Sequence, residues 1–358
     1  MSDEATGADV GAAPTPAAPS PAQEPTPASS PTTDPTPEMM PPATPEATAR
    51  VPAAPDPGGE EFVAALPQDF ETALAEELER LAEISEEWNP DAQVSIAVVL
   101  PDESIHGYRA RETRISASAV KPLWTAAALQ AAGVEAVAPL ANDVVILSDN
   151  SAGGRMIDLA GGVDAVNAWT WDVAELSDTR LEAWRFDDPD RVARDFRPEN
   201  PLGNRTTAAD LAHFYARLHQ GELLGPDETA VLQGWLLDTS HTVGSPRDLD
   251  GVLVDRLPSE VAASALHKAG WLRPNCCPAD YRQMIDAGLV VLPDGGWYAV
   301  AIVTARGEFF DLSNQWVSLA SCRIYSLVAD DPDLVCEGEE DGVHDPEIWP
   351  EPASDAQS

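Results

Sequence analysis

Apolar residues at Phe70, Leu74, Leu78, Leu81, Ile84 and Trp88 step by three or four positions. That spacing lays one apolar stripe along a helix, which Asn89-Pro90 brings to an end. Val94, Ile96, Val98 and Leu100 then recur at every second position, the period of a strand. Pro101-Asp102 reads as a turn into a second strand running through His106 to Arg111. Far downstream, the apolar runs Leu289 to Leu292 and Tyr298 to Thr304 flank Asp294-Gly295-Gly296, a hairpin signal. Trp316, Ala320, Ile324 and Leu327 close the pattern at helical spacing. The middle, about 115 to 250, is helix-rich. The order helix, two strands, helical insertion, further strands and closing helix predicts an α+β fold. Its expected form is a sandwich of an antiparallel sheet flanked by helices, with a helical subdomain.

The pattern fades at both ends. Residues 1–60 are rich in Pro, Ala, Thr and Ser and nearly devoid of large apolar side chains. Such a leader cannot bury enough surface to offset its ordering entropy and is expected to be disordered. Residues 331–358 carry Glu337, Glu339, Glu340 and Asp341 with no Lys or Arg, an acidic tail expected to be disordered too. The folded domain is therefore expected over 61–330.

A formal charge of -40 argues against nucleic acid and anionic bilayers as partners, because phosphate binding needs clustered cations. No stretch reaches the roughly 18 apolar residues of a membrane span. Neither C-x-x-C spacing nor paired histidines mark a metal site, so neither metal nor cofactor is expected. Cys276 and Cys277 are adjacent, with Cys322 and Cys336 downstream. A disulfide from the adjacent pair to Cys322 or Cys336, or inert thiols, both fit that spacing. Ten tryptophans suggest a carbohydrate platform, but Trp88 and Trp316 fall at core helical spacing, so packing is the better reading.

The cations are unevenly chosen: nineteen arginines, but lysine only at Lys121 and Lys268. A lysine amine can release its proton when desolvated or set beside another cation, whereas a guanidinium stays charged. Lys121 closes Ser118-Ala119-Val120-Lys121, and Lys268 opens Lys268-Ala269-Gly270, with Ser148-Asp149-Asn150 between them. If Ser118 opens a helix, Lys121 lies one turn on and on the same face, placed to take the hydroxyl proton as Ser118 attacks a carbonyl. Ser148 offers a second hydroxyl to relay that proton to a leaving amine. Asn150 can hold both Lys121 and a substrate amide. Lys268 adds a cation that attracts a substrate carboxylate. Past Gly270 the chain can approach substrate closely, and the backbone N–H groups of Trp271 and Ser118 form a natural oxyanion hole. His267, preceding Lys268, reads first as a structural histidine and second as a residue lining the site.

These three segments, Ile115 to Lys121, Val145 to Asn150 and Lys268 to Gly270, resemble the signatures of class A β-lactamases and penicillin-binding proteins. Asp178-Thr179-Arg180-Leu181-Glu182-Ala183-Trp184 resembles the family's approach to its omega loop, and Arg205-Thr206-Thr207-Ala208-Ala209-Asp210-Leu211 the helix start after it. The likeness covers about residues 65–328. It implies the family's sandwich fold, with the site between the sheet edge and the helical part.

Three departures stand out. Only thirty residues separate Ser118 from Ser148, about half the family's usual interval, so the helical subdomain is trimmed. Ala269 stands where the family usually carries a hydroxyl that binds the substrate carboxylate. Aligning on Thr179, Arg180, Leu181 and Trp184 puts Arg185 at the position of the deacylating glutamate, and arginine cannot act as a general base. Asp187, Asp188, Asp195 and Glu199 are the nearby carboxylates that could substitute.

The expected activity is thus a serine acyl-enzyme hydrolase acting on small-molecule β-lactams or peptidoglycan-type peptides, slow in deacylation. A catalytically degenerate binding or scaffold protein of the cell envelope is the rival. A monomer is expected. The resemblance implies a cell-envelope or secreted location, yet Met1-Ser2-Asp3-Glu4 shows no secretory signal, and a start codon upstream of Met1 is one reading of that tension.

Overall fold

The computed structural model describes residues 70–182, 204–239, 252–272, 283–306 and 310–336, with side chains from 314 onward in the last segment. The chain divides into two units, Met1–Ala53 and Ala54–Ser358, and every described residue lies in the second. The expected leader, Arg185 and the other loop carboxylates, Cys276 and Cys277, and the tail beyond Cys336 lie outside the described residues.

Helix α1 (Phe70–Trp88) buries the stripe read from sequence: Phe70, Leu74, Leu78 and Leu81 face inward. Strands β1 (Gln93–Val99) and β2 (Ile105–Tyr108) follow as an antiparallel pair. β2 stops at Tyr108 rather than running on to Arg111. Arg109 takes a left-handed φ of 46°, and the Ala110 carbonyl instead accepts from Ala209 N–H at 2.9 Å. The short β3 (Arg114–Ile115) pairs with β4 (Arg205–Thr206) in a separate two-stranded ladder.

Helical elements then run in series. A 3-10 turn (Ala117–Val120) leads into α2 (Lys121–Ala132), α3 (Val134–Ala141), a π turn (Asn142–Ile146), α4 (Asn150–Leu159) and α5 (Val163–Asp172). After β4 come α6 (Ala208–Gln220) and α7 (Pro226–Thr239), then the single turn α8 (Ser259–Ala262). The chain returns to the sheet as β5 (Leu266–Leu272), β6 (Gln283–Val291) and β7 (Trp297–Ala305), and closes with α9 (Phe310–Val328). The five-stranded sheet has the order β2-β1-β7-β6-β5, antiparallel throughout, so β5 is an edge strand.

The period-two alternation of the strands sorts the core into two layers. On one face Ile96, Val98, Met284, Val300 and Ile302 pack against Leu74, Leu78, Trp316 and Ile324 of the terminal helices. On the other, Ala97, Val99, Ile285, Ala287 and Val303 meet the helical part through residues such as Leu123, Leu211 and Phe214. The fold is therefore the expected antiparallel sheet flanked by helices. No described helix is long and apolar enough to cross a membrane.

The ordered segment continues past 330. Cys336 is joined to Cys322 of α9, with their α-carbons 5.8 Å apart, and Leu334 packs beside them against Ile84 and Trp88 of α1. The cysteine spacing had offered a bond from the adjacent pair to Cys322 or Cys336, or inert thiols; the structure instead joins the two downstream cysteines to each other, because the segment after α9 folds back to bring Cys336 against Cys322.

Candidate active site

Ser118 lies in the 3-10 turn that feeds α2, and Lys121 is the first residue of that helix, its N–H bonded to the Ser118 carbonyl. Side chains three apart eclipse in a 3-10 turn, so Ser118 and Lys121 share one face. Ser118 is half-buried, whereas Lys121 is only 1% exposed. Ala117, just before the serine, sits in the left-handed region at φ 44°. Backbone strain of this kind concentrates where the fold over-determines a functional geometry.

The buried amine is met by the second motif. Lys121 Nζ donates to the Ser148 carbonyl at 2.5 Å and to Asn150 Oδ1 at 2.9 Å, and lies 3.2 Å from Ser148 Oγ. Among the described residues, three oxygens thus lie within hydrogen-bond reach of an amine that as an ammonium has three N–H donors. Local backbone chemistry delivers them. Leu147 N–H closes the π turn on Asn142, Ser148 turns left-handed at φ 58°, and Asp149 caps α4 by accepting from Ala152 N–H at 2.6 Å. Asn150 is the first residue of α4. Gly153, one turn later, lets α4 press onto α2: a Cβ there would lie 3.3 Å from Trp124 Cζ3 and 3.7 Å from Lys121 Cε. In the sequence Gly153 is marked only by the glycine pair it forms with Gly154 inside a helix.

The third motif comes from the sheet edge. Lys268 is 3% exposed on β5, and Gly270 lies directly against the turn that carries Ser118. A Cβ on Gly270 would fall 2.4 Å from Ala119 N and 2.6 Å from Ser118 N, so only glycine permits this approach. Trp271 follows on the same strand. His267, by contrast, is fully buried and bonds Asp286 across the ladder, so the structural reading of this histidine holds.

Residues on either side of 183–203 are pinned beside Ser116. Asp178 N–H and Thr179 Oγ1 both donate to Asp210 Oδ2, at 3.0 and 2.8 Å. Arg180 and Arg205 exchange backbone bonds, Glu182 N–H donates to Asn204 Oδ1, and the Asn204 carbonyl accepts from Ser116 N–H at 2.9 Å. Burial raises the Asp210 carboxyl above its ordinary range, against the hydrogen bond from Thr179. Among the described residues no group of three or more His, Cys, Asp or Glu side chains is placed to hold a metal ion.

The site therefore unites a half-buried serine, a buried amine with three oxygen neighbours, a second hydroxyl, and a glycine-lined sheet edge. This is equipment for nucleophilic attack on a carbonyl. Comparison with known proteins places the fold and the family. Beta-lactamase AST-1 of Nocardia asteroides is 29% identical over 147 residues, a match spanning 40% of this chain and 44% of that protein. A class A beta-lactamase from Bacteroides cellulosilyticus superposes with a TM-score of 0.60 at 18% identity, over 72% of this chain and 99% of its own. The TLA-1 extended spectrum beta-lactamase gives 0.58 at 14%, over 71% and 98%, and PBP-A gives 0.53 at 18%, over 75% and 97%. At those identities the structural likeness is one of fold. A model of the beta-lactamase enzyme family matches residues 134–328, which takes in Ser148 and Lys268 and begins after Lys121. That match covers more than half of the sequence, and the chain belongs to the beta-lactamase enzyme family.

Proposed function

We propose that this chain is a serine acyl-enzyme hydrolase of the class A type, acting on β-lactams or peptidoglycan-type peptides through Ser118. The observation that carries the reading is the Lys121 amine, buried under the serine turn and held by Ser148 and Asn150. In its neutral form, one of the three positions around Nζ becomes a lone pair able to accept a proton. Ser118 Oγ then attacks the substrate carbonyl carbon while its proton passes to Nζ. The oxyanion is received by the N–H groups of Ser118 and Trp271, a pairing supported by the close approach of Gly270, the residue before Trp271, to the Ser118 backbone. The carbon–nitrogen bond breaks as the nitrogen takes a proton from Ser148, which recovers one from Lys121. Lys268 draws in the substrate carboxylate, with less help than usual because Ala269 has no hydroxyl.

Release of the acyl group requires water activated beside the ester. Arg185 at the glutamate position removes the family's usual base, so the acyl-enzyme persists. The Cys322–Cys336 bond supports an exported protein, because such bonds persist in oxidising compartments. A fluorescent penicillin tests the reading. It should label the folded protein, fail to label Ser118→Ala, and lose at least about a hundredfold in rate on Lys121→Arg, the guanidinium being unable to accept the proton. A folded wild type that takes no label at high reagent concentration would leave the binding-protein rival standing.

A further inference from the structure

β5 carries Lys268, Gly270 and Trp271, yet among the described residues it is the edge strand, laddered only to β6. An edge that must hold a cation and an N–H donor against Ser118 needs anchors beyond that ladder. The face of β5 opposite Lys268 supplies one. His267 Nδ1 lies 3.0 and 3.1 Å from the two carboxylate oxygens of Asp286, and both side chains are fully buried. With a proton on Nδ1, His267 donates to both Asp286 oxygens, the arrangement in which a carboxylate only accepts. Asp286 Oδ2 also accepts from Leu253 N–H at 2.9 Å, and the His267 carbonyl accepts from Thr239 Oγ1 at 2.7 Å. Residue 267 is thus tied to β6, to the 252–257 segment and to the end of α7 at once.

The pair is too costly to be idle. Burying a carboxylate and an imidazole in place of apolar residues of the same size adds little stability, so a buried polar pair is better explained by the geometry it fixes. His267 Nε2 is buried without a hydrogen-bond partner among the described residues, which leaves the ring's orientation to Asp286 alone. Register puts Asp286 opposite Ala269, midway between Lys268 and Gly270. A shift at this point moves both functional residues.

We propose that His267 and Asp286 act as a positioning pair, holding the β5 edge so that the Lys268 amine and the Trp271 N–H meet Ser118 in reactive geometry. The pair does not touch substrate; it acts through the strand. This role rests on the acylation chemistry proposed above.

The test follows acylation by stopped flow in wild type, His267→Ala, His267→Asn and Asp286→Asn, separating the acylation rate constant from the pre-acylation dissociation constant. Asparagine keeps an N–H near the Nδ1 position, so His267→Asn should acylate within about threefold of wild type. His267→Ala and Asp286→Asn should lose roughly ten- to a hundredfold, mainly in the acylation step, as expected for misplaced reacting groups. Amide exchange read by mass spectrometry on the same proteins is independent of chemistry. Peptides spanning 266–272 should exchange roughly tenfold faster in His267→Ala and Asp286→Asn, but not in His267→Asn, while peptides over 93–99 stay unchanged. If wild type takes no acyl group, the catalytic reading fails and the exchange pattern still decides on the pair. If His267→Ala does not fold, Asp286→Asn against His267→Asn carries both measurements. Equal exchange over 266–272 in wild type and the disrupting variants, or a folded disrupting variant acylating at the wild-type rate, overturns the proposal.

Discussion

Gly270 lies against the backbone of Ser118 so closely that a single added methyl would sit 2.6 Å from the Ser118 nitrogen. The contact is between backbone and backbone, so no side chain can rotate aside to relieve it. It fixes the distance between the sheet edge and the Ser118 turn, and with it the space in which, on the proposed chemistry, an oxyanion would be held.

Gly270→Ala should therefore keep the fold while pushing β5 away from the turn. Displaced oxyanion donors cost roughly a hundredfold or more in rate. Fluorescent-penicillin labelling of the variant, compared with its circular dichroism, checks this; native-rate labelling would mean that the donors are elsewhere.

Gly153→Val should act on the amine from the other side. A Cβ at this position already lies 3.3 Å from Trp124, and the branches of valine reach toward Lys121 Cε. Labelling should fall at least about tenfold as Lys121 is displaced from Ser148 and Asn150. Gly153→Ala is the milder control, since an alanine gains up to about 1 kcal/mol of helix propensity against the tight contact.

Opening the Cys322–Cys336 bond removes a loop constraint of 14 residues and should cost about 2–3 kcal/mol. Because the bond ties α9 to the segment after it, on the face away from Ser118, Cys322→Ser with Cys336→Ser should label at the wild-type rate at room temperature. Its urea midpoint should drop, and peptide mapping of the native protein should recover the crosslinked pair.

Asp255 supplies a pH dependence. Burial, followed by the neighbouring Asp286, raises its carboxyl to about 6, against partial relief from His267 and Arg256. Between about pH 4 and about pH 6 the folded state keeps a proton that the unfolded chain has released, so stability falls as pH rises through that window. Above it the full penalty remains. Asp255 is itself exposed to solvent, so screening holds the effect to no more than about 1 kcal/mol. Asp255→Asn should thus be more stable than wild type at about pH 7.5 and nearly equal at about pH 4.5 in urea titrations.

The layered fold was legible because its signals are local. The stripe through Leu74, Leu78 and Leu81 and the hairpin at Asp294-Gly295-Gly296 each announce one element without help from elsewhere. The site motifs were legible for a related reason: lysine is rare in this chain, so Lys121 and Lys268 mark themselves. What sequence could not supply is long-range. The end of β2 depends on a bond between Ala110 and Ala209, far apart along the chain, and no local propensity signals it. The His267–Asp286 pair depends on strand register, and the partner of Cys336 on where α9 ends. Gly153 reads as a helix defect until α2 is set against it.

Acylation of Ser118 is read out by peptide mass spectrometry after exposure to benzylpenicillin. A stoichiometric penicilloyl adduct should form on the peptide containing Ser118 and be absent in Lys121→Arg over the same interval. The adduct should decay slowly, since a missing general base costs roughly 10²–10⁴ in rate. An unmodified Ser118 in folded protein, or an adduct on any other residue, would contradict the proposed acylation.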